Sequence, residues 1–160
     1  MRRALLLLGV AAIAAAVFAA TAMSAASGPA TVKTRSTSLG KIIVGSNGKT
    51  LYLFEKDKHG KSACSGACAK AWPPLLTKGK PKAASGAQSS KLGTVKRSDG
   101  TTQVTYAGHP VYGFIMDKKA GDTKGEGLKA FGAEWYALSP SGKKVEEHGK
   151  SSASSAPSPY

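Results

Sequence analysis

The sequence predicts a mostly β domain, built from short antiparallel hairpins with little helix. Runs of β-branched and aromatic residues alternate with glycine-containing turns, which is typical of hairpins. With 160 residues, of which 41% are hydrophobic, the chain has room for about one domain with a modest core. The length excludes a large multidomain enzyme, and the hydrophobic content excludes a wholly disordered chain.

Four pairs of strand-like segments are joined by turn residues. The clearest turn contains Asn47-Gly48, because Asn-Gly supplies the positive φ angles of a tight hairpin turn. The predicted pairs are residues 41–44 with 50–54, 94–96 with 103–106, 103–106 with 110–114, and 134–138 with 143–145. Helix is expected only at residues 67–72, before two prolines, and residues 78–90 are predicted to form an exposed loop.

The two ends of the chain differ in composition from its middle. Residues 1–26 have the charged start, apolar run and small-residue zone of a secretory signal, and an uncleaved membrane anchor is the alternative. Residues 27–38 are polar and predict a flexible linker, and residues 148–160 predict a disordered Ser/Ala/Pro tail. The β domain is therefore expected at residues 39–147.

The chain is strongly basic, with 23 Lys and Arg against 9 Asp and Glu, a net charge of +14 and a pI near 9.9. Only Arg2 and Arg3 belong to the predicted signal, so the exported part keeps +12. Export argues against nucleic acid as a partner. The expected partner is an anionic cell wall or membrane surface, which a basic protein meets through screened, non-specific attraction.

Two halves of the predicted domain repeat the same pattern, Tyr-x-Phe-x-x-Asp followed by a tryptophan. The first copy is Tyr52, Phe54, Asp57 and Trp72, and the second is Tyr112, Phe114, Asp117 and Trp135. The spacings differ slightly between the copies, so we interpret them as two degenerate pseudo-repeats inside one domain.

These residues carry a family resemblance. The two Tyr-x-Phe-x-x-Asp strings, with Cys64-Ser-Gly-Ala-Cys68 and Trp72-Pro-Pro between them, resemble the bacterial secreted-repeat family of predicted lipoproteins with a conserved Yx(FWY)xxD motif. The resemblance extends over about residues 39–145 and implies an exported envelope protein of unestablished biochemical function. The signal region lacks a cysteine for lipidation, so a secreted or wall-associated protein fits better than a lipid-anchored one.

The motif also has a direct physical interpretation. Tyr and Phe two apart on a strand face the same side, which we expect to be the core. The Asp falls at the strand end, where it can accept backbone N–H bonds or the Tyr hydroxyl of the other copy. The alternative is a cation or ligand site that pairs Asp57 with Asp117, together with Asp122 or Glu55.

The two cysteines, Cys64 and Cys68, are predicted to form a local disulfide, as expected for an exported protein. His59 precedes them, so the alternative hypothesis is a metal- or redox-linked envelope protein that uses all three residues. His109 is expected at a hairpin tip, and no catalytic motif is present in the sequence. We therefore predict a non-enzymatic binding or structural module of the envelope, without a cofactor or metal.

Overall fold

A computed structural model describes residues 28–146, and these residues form a mostly β fold with little helix, as predicted. The strands are short, and most of them hold two to six residues. They are β1 (Thr31–Thr37), β2 (Gly40–Gly45), β3 (Tyr52–Phe54), β4 (Lys82–Ala83), β5 (Leu92–Lys96), β6 (Thr102–Tyr106), β7 (His109–Pro110), β8 (Lys129–Ala130) and β9 (Ala133–Ala137). The helix α1 (Ala67–Ala71) and a 3-10 turn at Ser89–Lys91 complete the described elements.

The strands form three small sheets, with the orders β2-β1-β4, β3-β9-β8 and β5-β6-β7. All pairings are antiparallel except that of β1 with β4, where Thr31 and Val32 lie opposite Lys82 and Ala83 in parallel register. Within residues 28–146, no helix is long and apolar enough to cross a membrane. The predicted signal (1–26) and tail (148–160) lie outside the described residues.

Three of the four predicted hairpins are confirmed. β5 pairs with β6 across a turn in which Gly100 has φ +80°, and β6 returns into β7 through Ala107 and Gly108, both with positive φ. The last hairpin is shorter than predicted. Beyond β9, a bridge between Leu138 and Lys144 closes it around the turn at residues 139–142.

The first hairpin prediction is only half right. The Asn47-Gly48 turn is present, because Gly48 has φ +79° and the Gly45 amide donates to the Lys49 carbonyl at 2.9 Å. However, β2 pairs with β1 along its length, and β3 pairs with β9. All three residues of β3 are buried, so this strand needs packing partners on both faces and lies between distant parts of the chain.

Two further predictions are wrong. The predicted linker at residues 27–38 contains strand β1, whose Val32 is fully buried, so the folded domain begins before residue 39. Its Thr- and Ser-rich sequence indicated a loose segment, yet the β-branched residues fit an extended strand beside β2. The predicted loop at residues 78–90 contains β4, which pairs with the start of β1. The Lys82 amide donates to the Ala30 carbonyl, just before β1, at 2.8 Å, and the Ala84 amide donates to the Val32 carbonyl at 2.9 Å.

Two hydrophobic clusters share strands β2 and β3. Along β3, Tyr52 and Phe54 enter a cluster rich in aromatic residues, whereas Leu53 enters an aliphatic one. Along β2, Ile42 joins the aromatic cluster and Ile43 the aliphatic one. The alternation of side chains along a strand therefore builds both clusters from the same two segments.

Four stacked rings form the centre of the aromatic cluster. Their order is Phe54, Trp135, Trp72 and Phe114, with centroid separations of 4.0, 3.9 and 4.1 Å and interplanar angles of 9°, 5° and 20°. The two motif tyrosines pack edge-on against this stack, Tyr52 on Trp72 and Tyr112 on Trp135. Each phenylalanine thus stacks on the tryptophan of the other half, so neither half completes the stack alone.

Gly125 is required beside the stack. A Cβ at this position would lie 2.8 Å from ring atoms of both Trp72 and Tyr52, which is closer than real Cβ contacts allow. A larger residue at position 125 would displace one of the two rings, and buried aromatic rings have little freedom to move in a close-packed core.

Stacked indoles give a testable spectroscopic prediction. We expect the native protein to show a paired positive and negative circular dichroism signal in the far ultraviolet, because the strongest transitions of two indole rings 3.9 Å apart lie there and couple to each other. Trp72→Phe and Trp135→Phe should each abolish the couplet, and Tyr106→Phe in the aliphatic cluster should retain it. A signal that merely halves in each tryptophan variant would contradict the stack.

Candidate functional site

The two copies of the motif are joined to each other by reciprocal hydrogen bonds. The Tyr52 hydroxyl donates to Asp117 Oδ2 at 2.7 Å, and the Tyr112 hydroxyl donates to Asp57 Oδ2 at 2.8 Å. The tyrosine backbones also pair, with N–O distances of 2.8 and 3.0 Å. The arrangement has approximate two-fold symmetry about the Tyr52–Tyr112 bridge.

Each aspartate also shapes the turn that follows its strand. The Asp57 amide donates to the Phe54 carbonyl at 3.0 Å, and the Asp117 amide makes the same bond to Phe114 at 3.1 Å. The second carboxylate oxygen of each Asp accepts a later backbone N–H, from Ala63 at 2.7 Å and from Lys124 at 2.9 Å. These aspartates therefore accept both backbone amides and the tyrosine of the other half.

Burial controls the ionisation of these pairs. Burial raises the pKa of the Tyr52 and Tyr112 hydroxyls well above the ordinary range of a phenol, and the adjacent carboxylates raise it further. Burial also raises the pKa of the Asp57 and Asp117 carboxyls. Hydrogen bonds from the tyrosine hydroxyls and from backbone amides lower the pKa of these carboxyls and so offset part of that effect. Both tyrosines thus remain protonated and act as hydrogen-bond donors.

Cys64 and Cys68 form the predicted disulfide, which lies in the aromatic cluster just before and within α1. His59, by contrast, is exposed in a turn with φ +51°. In this state neither sulfur is a thiolate that could bind a metal.

Residues 28–146 contain no group of three or more His, Cys, Asp or Glu that could hold a metal ion. The two residues considered as extra ligands have other partners. Asp122 accepts the Lys118 and Lys119 amides, and Glu55 accepts Lys144 Nζ at 2.9 Å.

A cleft of about 590 Å³ opens beside Asp57. Its charged and polar lining comes from three parts of the chain: the end of β3 and the turn after it, the start of β7, and the segment after the turn at residues 139–142. The residues concerned are Glu55, Asp57, Lys58, His109, Lys143 and Lys144. His109 lies at a hairpin tip, as predicted, but no local pattern in the sequence indicated that these three segments meet.

A comparison with protein families identifies the chain. A family model described as a secreted repeat of unknown function matches residues 33–76 and 93–139, which is more than half of the sequence. The chain belongs to this secreted-repeat family. The two matches correspond to the two predicted pseudo-repeats. No curated protein and no solved structure matches the chain.

Membership in the secreted-repeat family confirms the predicted location. The family is described as secreted, so the protein is extracytoplasmic, either released or associated with the cell envelope. The family description states no activity, so the function has to be argued from the structure.

The two secreted repeats differ around their aspartates. Asp117 is fully buried and lies near both the carboxylate of Asp122 and the ammonium group of Lys124. Asp57 is half-buried and lies near the buried cation Arg97 and the imidazole of His109. The motif of the first repeat is therefore partly open, with a buried cation beside it, and that of the second is closed.

Arg97 is a buried cation that no pattern in the sequence indicated. Its side chain is 4% exposed, and its guanidinium donates to Ser62 Oγ, Gln103 Oε1 and the Cys64 carbonyl, each at 2.7 Å. Ser62 Oγ in turn lies 2.8 Å from the Tyr112 hydroxyl. Arg97 thus links the disulfide loop to the Tyr112–Asp57 pair of the first repeat.

The reciprocal bonds predict a specific loss of stability. We expect Tyr52→Phe to lower the free energy of unfolding by about 1–3 kcal/mol, because it removes a donor from a buried carboxylate. The measurement is urea denaturation at neutral pH. The matched control is Tyr136→Phe, whose hydroxyl donates to Glu134 at 2.8 Å nearer the surface and should cost less than about 0.5 kcal/mol. Equal losses in the two variants would contradict a stabilising role for the Tyr52–Asp117 bond.

The raised pKa of Asp117 predicts a pH dependence. A carboxyl whose pKa is higher in the folded state contributes most stability below its unfolded pKa of about 3.9, and this contribution falls as the pH rises through the folded-state pKa. Asp117→Asn should therefore cost more stability at about pH 3 than at about pH 7, as measured by urea denaturation.

Asp99→Asn provides a control of opposite sign. Hydrogen bonds from Thr101 hold the pKa of Asp99 below its usual range, so the stability that it contributes is lost as the pH falls. The loss on substitution should then be larger at neutral pH. If the two variants show the same pH trend, the raised pKa of Asp117 is wrong.

Proposed function

We propose that this exported domain is a non-enzymatic binding module, which associates with anionic polymers of the cell wall through its basic surface. The proposal rests on one observation, which is that the acidic and the basic side chains of the domain differ in their surroundings. Most acidic side chains have hydrogen-bond or ion-pair partners within the domain, whereas most lysines are exposed. A protein surface of this kind attracts polyanions over distances of about a Debye length, about 8–10 Å near physiological salt.

The aspartates of the described residues have partners within the domain. Asp57 and Asp117 accept buried tyrosine hydroxyls, Asp99 pairs with Arg97, and Asp122 accepts two backbone amides. Among the glutamates, Glu55 pairs with Lys144. These carboxylates already have positive or hydrogen-bonding partners, which weakens their contribution to the surface potential.

The lysines differ from the acidic residues in this respect. Most lysines in the described part of the chain are exposed, and they lie on all parts of the domain. The exposed lysines are Lys41, Lys56, Lys58, Lys61, Lys70, Lys78, Lys80, Lys82, Lys96, Lys118, Lys119, Lys124, Lys129, Lys143 and Lys144. An extracytoplasmic protein with this surface meets the phosphate and carboxylate groups of the envelope.

The non-enzymatic part of the proposal is supported by the cleft beside Asp57. The residues that line it include no serine, threonine or cysteine, so the cleft lacks the hydroxyl or thiol nucleophile of a Ser–His or Cys–His pair. Ser62 interacts with Arg97 and Tyr112, and neither of these is a general base for its hydroxyl at neutral pH.

Cell-wall association can be tested by co-sedimentation with purified sacculi that retain their anionic polymers, over a salt series. We expect the bound fraction to fall steadily as salt rises, because screened attraction supplies the binding. Replacing Lys78, Lys80 and Lys82 by Gln should weaken binding by at least about tenfold, given about 1 kcal/mol for each lysine at an anionic surface.

Lys144→Gln is the matched control, because Lys144 already pairs with Glu55 and Glu146. This substitution should change sacculus binding by less than about twofold. Binding that ignores salt would contradict an electrostatic mechanism. Capture by vesicles of anionic phospholipid but not by sacculi would contradict the choice of the wall as partner.

A further inference from the structure

The cleft beside Asp57 has walls that are held in place by tertiary contacts. Asp57 is held by the Ala63 amide and the Tyr112 hydroxyl, as described above. On the opposite side, the turn that contains Gly142 packs directly on Ala107, next to His109, and a Cβ at position 142 would clash with that of Ala107. Gly142 also has φ +83°, which favours glycine. The three segments are thus set before any ligand arrives.

The acidic residues of the cleft are already engaged. Each oxygen of the Asp57 carboxylate accepts a hydrogen bond, and Glu55 accepts Lys144 Nζ at 2.9 Å. Lys144 is engaged as well, since it contacts Glu146 at 2.8 Å and lies over the Tyr136 ring at 4.5 Å. These groups form the wall of the cleft and leave little capacity for a new charged partner.

Three hydrogen-bond donors that line the cleft, by contrast, are not engaged by other residues of the described range. The side chains of Lys58, His109 and Lys143 make no hydrogen bond or ion pair with any residue in the described range 28–146, and all three are exposed to solvent at the cleft. Lys58 follows β3, His109 begins β7, and Lys143 follows the turn at Gly142. The donors without partners therefore come from all three segments.

We propose that this cleft binds a phosphate-bearing ligand, with Lys58, Lys143 and His109 as the donors to its oxygens. Lysine ammonium groups are compact point charges that bind phosphate. Two of them match the charge of a phosphate monoester better than that of a singly charged carboxylate.

The charge of Asp57 does not prevent anion binding at this place. The Arg97 guanidinium lies near its carboxylate and opposes its negative potential. Arg97 donates to uncharged oxygens of Ser62, Gln103 and the Cys64 carbonyl, and its Nε also pairs with the exposed Asp99 at 3.4 Å. In the second repeat, Asp117 lies near one charge of each sign, Asp122 and Lys124.

The site is specific to the first repeat, and this distinguishes it from general attraction to the basic surface. A ligand held only by net charge would respond equally to the loss of any two exposed lysines. A ligand held in the cleft would respond to Lys58 and Lys143, and it would ignore Lys118 and Lys119 of the second repeat, which flank the buried Asp117.

Isothermal titration calorimetry at physiological salt tests the proposal with three phosphate probes and one control. The probes are glycerol 3-phosphate as a free monoester, poly(glycerol phosphate) as a polymer, and phosphatidylglycerol vesicles as a lipid surface. The control anion is glycerate, which carries a carboxylate on a similar skeleton. We expect saturable one-to-one binding of glycerol 3-phosphate, whose monoester phosphate is the one doubly charged group among the probes. The polymer and the vesicles present singly charged phosphodiesters, and tighter binding of either would identify that source of the phosphate.

The variants determine where binding occurs. Lys58→Gln combined with Lys143→Gln should weaken phosphate binding by about tenfold or more, since each removes a charge-assisted hydrogen bond. Lys118→Gln combined with Lys119→Gln removes the same charge from the second repeat and should change binding by less than about twofold. Unchanged melting temperatures in both double variants would show that the fold is retained.

Three results would overturn the proposal: no saturable binding of any phosphate probe, binding of glycerate as tight as that of the phosphates, or equal weakening by the two double variants. The last result would leave the electrostatic wall association standing. Conversely, cleft binding of glycerol 3-phosphate would remain valid even if the protein failed to sediment with sacculi. The two proposals therefore fail separately.

Discussion

The reciprocal exchange of Tyr–Asp hydrogen bonds is the constraint on which the rest of the domain depends. A carboxylate taken out of water costs several kcal/mol unless hydrogen-bond donors surround it. Here each half supplies the tyrosine donor that the carboxylate of the other half requires. The two tyrosine backbones must then lie side by side, and this places Trp72 against Trp135 in the stack between them.

The same motif has different consequences in the two halves. Around Asp117 it closes a buried turn, so that half contributes mainly to stability. Around Asp57 the surroundings include Arg97, the disulfide loop and His109, and the surface is open. The two repeats therefore contain equivalent hydrogen-bonded turns at their aspartates. Residues outside the motif differ between the repeats, and they make the turn at Asp57 a wall of the cleft. The function of the domain is to be sought in the residues that differ between the repeats.

Local features were predictable from the sequence, and long-range ones were not. The turns at Gly48 and Gly100 and the helix before Pro73 follow from backbone preferences, which act over a few residues. The partners of β1 and β3 depend on contacts with β2 and β9, and polar composition even made β1 resemble a linker. The tyrosine–aspartate exchange was one of the interpretations that the repeated motif allowed. Arg97 and the cleft had no such signal, because they depend on segments that meet only in three dimensions.

The crossed stack also has a consequence for how an exported chain reaches its final state. Trp72 gains its stacking partners from residues 114 and 135, so the first half has no finished aromatic stack while the second half is still inside the cell. A chain that crosses a membrane with its N-terminus leading thus stays unfolded until nearly the whole domain has emerged, since contacts so far apart in sequence form late.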